Sequence, residues 1–167
     1  MLAVLALIAC PKAFAVTEYD LKATFLASVL QFVKWPAASF PDAGAPLELG
    51  ILGADPFGAA VEAAVRGLVI DGHSVVVKRA RTAGALAGCE AVFICPSEAG
   101  RLPSVLGAFA GSSTLTVSDI SKSAQGGVMV EFPLDGAKVV IEINAAEAAR
   151  ARLKLSSKLL KLARKIY

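Results

Sequence analysis

The stretch Leu47-Glu48-Leu49-Gly50-Ile51-Leu52-Gly53-Ala54-Asp55-Pro56-Phe57-Gly58 decides the fold. Residues 47–52 read as a strand, and Gly53 ends it. Asp55 and Pro56 then supply a capping side chain and a proline at the first helical position, which predicts a helix running to about Arg66. The alternation continues downstream. Asp71-Gly72 is a turn, residues 74–78 are a Val-rich strand and residues 82–87 a short helix. Residues 91–94 form a buried strand, residues 98–110 a helix that Pro103 kinks or delays, and residues 113–117 a fourth strand. Short apolar strands alternating with helices predict right-handed βαβ units around a parallel sheet.

Upstream, residues 17–33 carry Leu21, Phe25, Leu26, Val29, Leu30 and Val33 at helical spacing. Thr17 is the N-cap, Glu18 and Asp20 lie in the first turn, and Trp35-Pro36 stops the helix. Downstream, residues 128–132 and 138–143 flank Pro133-Leu134-Asp135-Gly136, a hairpin signal that adds antiparallel pairing to the sheet. A final amphipathic helix is expected from Ser157, with Leu159, Leu160, Leu162, Ala163 and Ile166 as its apolar stripe. The fold class is therefore α/β: a mostly parallel sheet with flanking helices, Rossmann-like or flavodoxin-like, a C-terminal β-hairpin and a last helix. With 167 residues and neither repeat nor linker, residues 16–167 read as one domain.

Composition excludes several classes. Apolar residues make up 56% of the chain, too many for a disordered tail, and no apolar run reaches the ~18–20 residues of a spanning helix. The apolar run 2–9 followed by Ala13-Phe14-Ala15 reads as a signal peptide of residues 1–15. The alternative is a lipoprotein anchored through Cys10, after Leu7-Ile8-Ala9. Both readings imply export, and a retained N-terminal segment is the third possibility.

The two cysteines beyond the leader, Cys89 and Cys95, flank the strand at residues 91–94. Six extended steps at ~3.3 Å place them about 20 Å apart, whereas a disulfide needs Cα atoms about 4.4–6.8 Å apart. Intrachain pairing is not expected; two buried thiols or one intermolecular bridge remain, and buried thiols are the preferred reading. Charge is segregated: residues 16–147 hold 9 basic and 14 acidic side chains, residues 148–167 hold 7 basic and none acidic. Such a block suits an anionic membrane surface, an acidic patch on a partner, or a solvated helix face. It has no interleaved aromatics, so nucleic acid is not expected as a partner.

No catalytic set emerges. Cys95 and Arg101 stand at the spacing of a cysteine phosphatase loop, but Glu98 would put a carboxylate in the phosphate cradle and Pro96 removes a donor. His73 is the only histidine, reads as a surface turn residue, and cannot build a zinc site or a triad alone. Neither cofactor nor metal is expected. What remains is a rim at the carboxyl ends of three strands, where a wound sheet binds ligands. It comprises Gly53 and Asp55, Ser97 and Glu98, and Ser118 and Asp119. Asp55, Glu98 and Asp119 also suit helix capping. Trp35 either anchors a partner or closes the core.

Several ordered segments resemble the YfiR-like family of periplasmic regulators. They are Glu18-Tyr19-x-x-Lys22-Ala23-x-Phe25-Leu26, Phe32-Val33-Lys34-Trp35-Pro36, Leu52-Gly53-x-Asp55-Pro56-Phe57-Gly58 and Thr116-Val117-Ser118-Asp119. Gly126-Gly127-Val128, Glu142-Ile143-Asn144 and Ser156-Ser157-Lys158-Leu159-Leu160-x-Leu162-Ala163-Arg164 complete the set. The resemblance implies a non-enzymatic periplasmic protein that represses a membrane-bound diguanylate cyclase, and so cyclic di-GMP signalling, biofilm formation and motility. It also implies that an outer-membrane lipoprotein relieves the repression. With only Cys89 and Cys95, a two-disulfide redox scheme cannot operate. Candidate interface residues are Trp35, Lys158, Lys161 and Arg164, and a homodimer is the expected form. The alternative is a small-ligand sensor that uses the rim and partners a membrane signalling protein or outer-membrane receptor.

Overall fold

Thr17 begins the first helix as the sequence predicts. Its hydroxyl accepts from the Asp20 amide, the Asp20 carboxylate accepts from the Thr17 amide, and this capping box starts α1 (Glu18–Gln31). The computed structural model describes residues 16–167. The expected signal peptide at residues 1–15 and the alternative lipid anchor Cys10 lie outside the described residues.

After α1 come a two-residue strand β1 (Val33–Lys34) and a 3₁₀ turn, Ala37–Ser39. Strand β2 (Leu47–Leu52) is followed by helix α2 (Ala60–Val65), and β3 (Val69–Ile70) turns through Asp71-Gly72 into β4 (His73–Ala80). A 3₁₀ segment, Ala83–Leu86, leads to β5 (Ala91–Ile94). A second 3₁₀ segment, Pro96–Arg101, precedes α3 (Leu102–Phe109), and β6 (Leu115–Ser118) closes this half. The C-terminal part contains β7 (Val130–Glu131), β8 (Leu134–Asp135), β9 (Lys138–Val139) and β10 (Glu142–Ile143). Helix α4 (Ala145–Arg150), β11 (Lys154–Leu155), α5 (Ser157–Leu162) and β12 (Lys165–Ile166) complete it.

The main sheet has eight strands in the order β12-β10-β7-β6-β5-β2-β4-β3. The five central strands run parallel in the order β4-β2-β5-β6-β7, the doubly wound flavodoxin-like arrangement with its switch point between β2 and β5. β3 joins one edge antiparallel. β10 returns antiparallel to β7, with Glu142 opposite Glu131, which is the expected hairpin addition to the sheet.

The period of two sorts the strand side chains onto two faces. Leu47, Leu49 and Ile51 of β2 and Ala91 and Phe93 of β5 meet Leu26 and Leu30 of α1 and Val61 and Val65 of α2. Leu52, Val92 and Ile94 point the other way, onto Leu86, Val105 and Phe109. Gly50 makes that second face possible. A Cβ there would lie 3.0 Å and 3.1 Å from the Leu86 methyls and 3.2 Å from Val92 Cγ2.

Four expectations need correction. The helix expected from Asp55-Pro56 begins at Ala60, because the Asp55 carboxylate accepts from the Phe57 amide and holds a turn first. The helix expected over residues 98–110 starts as 3₁₀ and becomes α only at Leu102, with Pro103 in its first turn. The last helix is six residues long, and Ile166 lies not on its stripe but in β12, parallel to β10. His73 is buried rather than on the surface. Its ring stacks on Phe40 at 3.7 Å, and its Nδ1–H donates to the Ala45 carbonyl at 2.6 Å.

Leu86→Ala is expected to cost about 2–5 kcal/mol in urea unfolding. Gly50→Ala is expected to cost about 1–3 kcal/mol by crowding Leu86. Because they act on the same space, the double variant should lose less than the sum of the two, and additive losses would show that Gly50 does not make room for Leu86.

Candidate functional site

The carboxyl edge of the parallel strands carries all six residues of the expected rim, and the structure divides them into three groups. At the switch point, Gly53 has a φ of +102°, and a Cβ on it would lie 2.4 Å from Ser97 Oγ and 2.6 Å from Glu98 Oε1. Ser97 Oγ accepts from the Ala54 amide at 2.9 Å and donates to Glu98 Oε1 at 3.1 Å. Glu98 is 4% exposed, and its other oxygen accepts from Arg101 Nε at 2.5 Å. Arg101 in turn donates to the Arg81 carbonyl at 2.9 Å. Ser97 and Glu98 thus occupy the space over Gly53 where a doubly wound sheet would open a ligand crevice.

The second group faces β4. Asp55 accepts from Arg79 Nε at 2.7 Å, and the same guanidinium donates to Glu62 and, at 2.8 Å, to the Gly58 carbonyl. This fork ties the loop after β2 to both β4 and α2.

The third group lies at the end of β6. Ser118 is fully buried, donates to the Ile94 carbonyl at 2.8 Å and accepts from the Ile120 amide at 3.1 Å. It serves the backbone. Asp119 turns toward α1, where its Oδ2 accepts from Lys22 Nζ at 2.6 Å and from the Tyr19 hydroxyl at 2.9 Å. Lys22 is only 3% exposed. It also pairs with Glu18 one turn back and sits 4.7 Å from the Tyr19 ring centroid. Burial, reinforced by the Asp119 carboxylate, pushes the Tyr19 hydroxyl well above the usual phenol range. The Tyr19 ring continues edge-on into Phe57 and then Phe93, so the polar cluster is seated on the aromatic core.

Lys22, Tyr19 and Glu18 were not picked as site residues from sequence. The available signal was Lys22 itself, which stands four residues before Leu26 on the buried stripe of α1 and so requires a buried carboxylate partner. Around the cluster runs an open groove of about 390 Å³, bounded by Pro96, Ser121, Phe132 and Leu134 as well as the charged residues.

Among the described residues, Cys89 and Cys95 lie at opposite ends of β5, free and buried. Burial first, then the Asp55, Asp119 and Glu98 charges, push the Cys95 thiol up to about 12. Burial and Glu48 push Cys89 up to about 11. Cys95 is therefore poorly suited to nucleophilic attack, and Arg101 is committed to Glu98 rather than to a phosphate cradle.

Of the candidate interface residues, Trp35 is half-buried against the core and its indole N–H donates to the Glu90 carbonyl at 2.8 Å. Arg164 is held by Glu142 and lies 3.6 Å from Asp135. Lys158 and Lys161 are exposed on α5. Among the described residues, no helix is long and apolar enough to cross a membrane and no group of His, Cys, Asp and Glu is placed to hold a metal.

The profile of a family described as YfiR/HmsC-like matches residues 19–164. No curated protein sequence matches the chain significantly. Among solved structures, the chain is similar to the ABC domain in complex with L-Trp from Streptococcus pneumonia, with a TM-score of 0.60 and 12% identity over 87% of this chain. It is also similar to a conserved domain protein from Vibrio cholerae, with a TM-score of 0.62 and 10% identity over 90% of this chain. In each case it spans 60% of the other chain, and at these identities the likeness is one of fold.

Asp119→Ala leaves the Lys22 ammonium buried without its main counter-charge and is expected to cost about 3–5 kcal/mol. Adding Lys22→Met should recover most of that loss in urea unfolding, and no recovery would show that the pair is not the source of the cost. In a second test, the native thiols should react with a disulfide reagent at pH 8 at least about 100-fold more slowly than in urea, because the thiolate form is scarce and buried. Rapid native labelling of Cys95 would contradict the burial described above.

Proposed function

The chain belongs to the YfiR/HmsC-like family, and from that premise we propose that it represses a membrane-bound diguanylate cyclase by direct contact with that enzyme's periplasmic part. The family is one of periplasmic regulators acting with membrane signalling proteins rather than one of enzymes. The finer reading is ours: this member lowers cyclic di-GMP and thereby restrains biofilm formation, and an outer-membrane lipoprotein relieves the repression by sequestering it. Residues 1–15 act as the export signal and residues 16–167 form the regulatory domain, working as a homodimer.

The observation that carries the reading is the family match from residue 19 to 164, nearly the whole described chain. Two features of the site support contact with a protein rather than chemistry or ligand capture. The switch-point crevice is filled by Ser97 and Glu98, and the thiol best placed for catalysis, Cys95, is held protonated by its surroundings. A redox switch through paired disulfides does not enter the scheme, since Cys89 and Cys95 stand at opposite ends of one strand.

Deleting the gene is expected to raise cellular cyclic di-GMP several-fold and to increase biofilm, with both restored by a plasmid copy. An unchanged nucleotide level after deletion would overturn the repressor reading.

A further inference from the structure

Three lysines of the C-terminal block lie on β11 and on the helix that follows it: Lys154 on β11, and Lys158 and Lys161 on α5. β1 and β11 form a separate two-stranded antiparallel ribbon in which Lys34 lies directly opposite Lys154. Directly opposed residues extend from the same face of a ribbon with Cβ atoms about 4.5–5.5 Å apart, and like charges in that position repel. Both lysines are exposed. The ribbon continues straight into α5, because the Ser156 amide donates to the Phe32 carbonyl at 2.9 Å before the Ser156 hydroxyl caps the helix. α5 then presents Lys158 and Lys161 to solvent, together with Leu162, which is 61% exposed and one turn beyond Lys158.

Six cations, Lys22, Lys78, Arg79, Arg101, Arg150 and Arg164, are paired with carboxylates within the fold. Among the described residues, Arg66, Arg81, Lys122, Lys138, Arg152 and Lys165 form no ion pair. Among the described residues, Lys34, Lys154, Lys158 and Lys161 form no ion pair with any carboxylate. Two ammonium groups opposed in register, with no carboxylate paired to either, attract negative charge from outside.

We propose that this lysine corner docks the protein onto an anionic phospholipid surface. The chemistry favours lipid over an acidic protein. The four cations are lysines, compact point charges on flexible stems, not the rigid arginine forks that recognise individual carboxylates in two-pronged fashion. Laterally mobile headgroup phosphates can gather under such charges wherever they stand, and the projecting Leu162 adds an apolar contact at the headgroup boundary. The inference adds to the regulatory reading a placement at the bilayer, where a membrane-embedded partner is met. Its test contains no partner, so its failure and the failure of that reading are separate results.

The protein, in the form its cells produce, is sedimented with vesicles of phosphatidylcholine containing 30 mol% phosphatidylglycerol and with pure phosphatidylcholine vesicles. Binding is expected only to the first, and it should weaken steeply between 0.05 and 0.5 M salt. At about five-fold per lysine, changing all four to glutamine should weaken binding several hundred-fold. All four side chains are exposed, so the melting temperature should be unchanged. Leu162→Ser should weaken binding only a few-fold. Equal binding to both vesicles, no binding to either, or full binding by the quadruple variant would each overturn the proposal. Retention on immobilised polyglutamate without vesicle binding would instead assign the corner to an acidic protein.

Discussion

A buried ammonium must be answered by a buried carboxylate, and the arrangement of this molecule's carboxyl edge follows from how Lys22 is answered. Its Nζ is 2.6 Å from Asp119, on the loop that leaves β6. α1 precedes the sheet in sequence and is not part of any crossover, so apolar contact alone would leave its rotation and axial position loosely defined. A single charged pair with both side chains under 5% exposed admits one position. That position brings Tyr19 onto Asp119 and Phe57, and sets the groove between α1 and the strand ends.

The neighbouring switch point shows the opposite use of the same edge. Wound parallel sheets leave a crevice where the strand order reverses, and many of them put ligands there. Here Gly53, at the crevice, has a φ of +102° that disfavours any side chain, and Ser97 and Glu98 fill the space a Cβ would take. The hydrogen-bonding capacity that would have read a ligand is spent within the chain, on Ala54, Arg101 and the Arg81 carbonyl. The arrangement fills this end of the sheet with paired side chains, and the similarity in fold to an L-Trp-bound domain carries no ligand with it.

Charge is handled in two ways across the fold. Some cations near the carboxyl edge are folded into networks, as with Arg79 between Asp55 and Glu62. Those on the β1–β11 ribbon and α5 are left outward. The cost is small in water, where opposed ammonium groups are well screened. A protein can therefore keep such a corner for a partner without losing its core.

Local rules written in the sequence determined several elements, though not where the helices after Asp55 and Pro96 begin or where the last one ends. The Thr17–Asp20 capping box, the apolar runs at residues 47–52 and 91–94, and the Asp71-Gly72 turn act over a few residues and can be read without knowing their neighbours. The ordered family segments likewise needed no coordinates. Only the tertiary structure decided what depends on partners distant in sequence. The four-residue spacing of Glu18 and Lys22 is local, but nothing in the sequence pairs Lys22 with Asp119, 97 residues on. His73 could not be placed under Phe40 from a turn signal. Ile166 continued a helical stripe by spacing, yet the edge of β10 offered unpaired backbone groups, and pairing with them outweighed one more turn of helix. The position of the rim residues at the strand ends follows from the strand order, while their division into a plug, a fork and a buried pair comes from side-chain geometry that no spacing encodes.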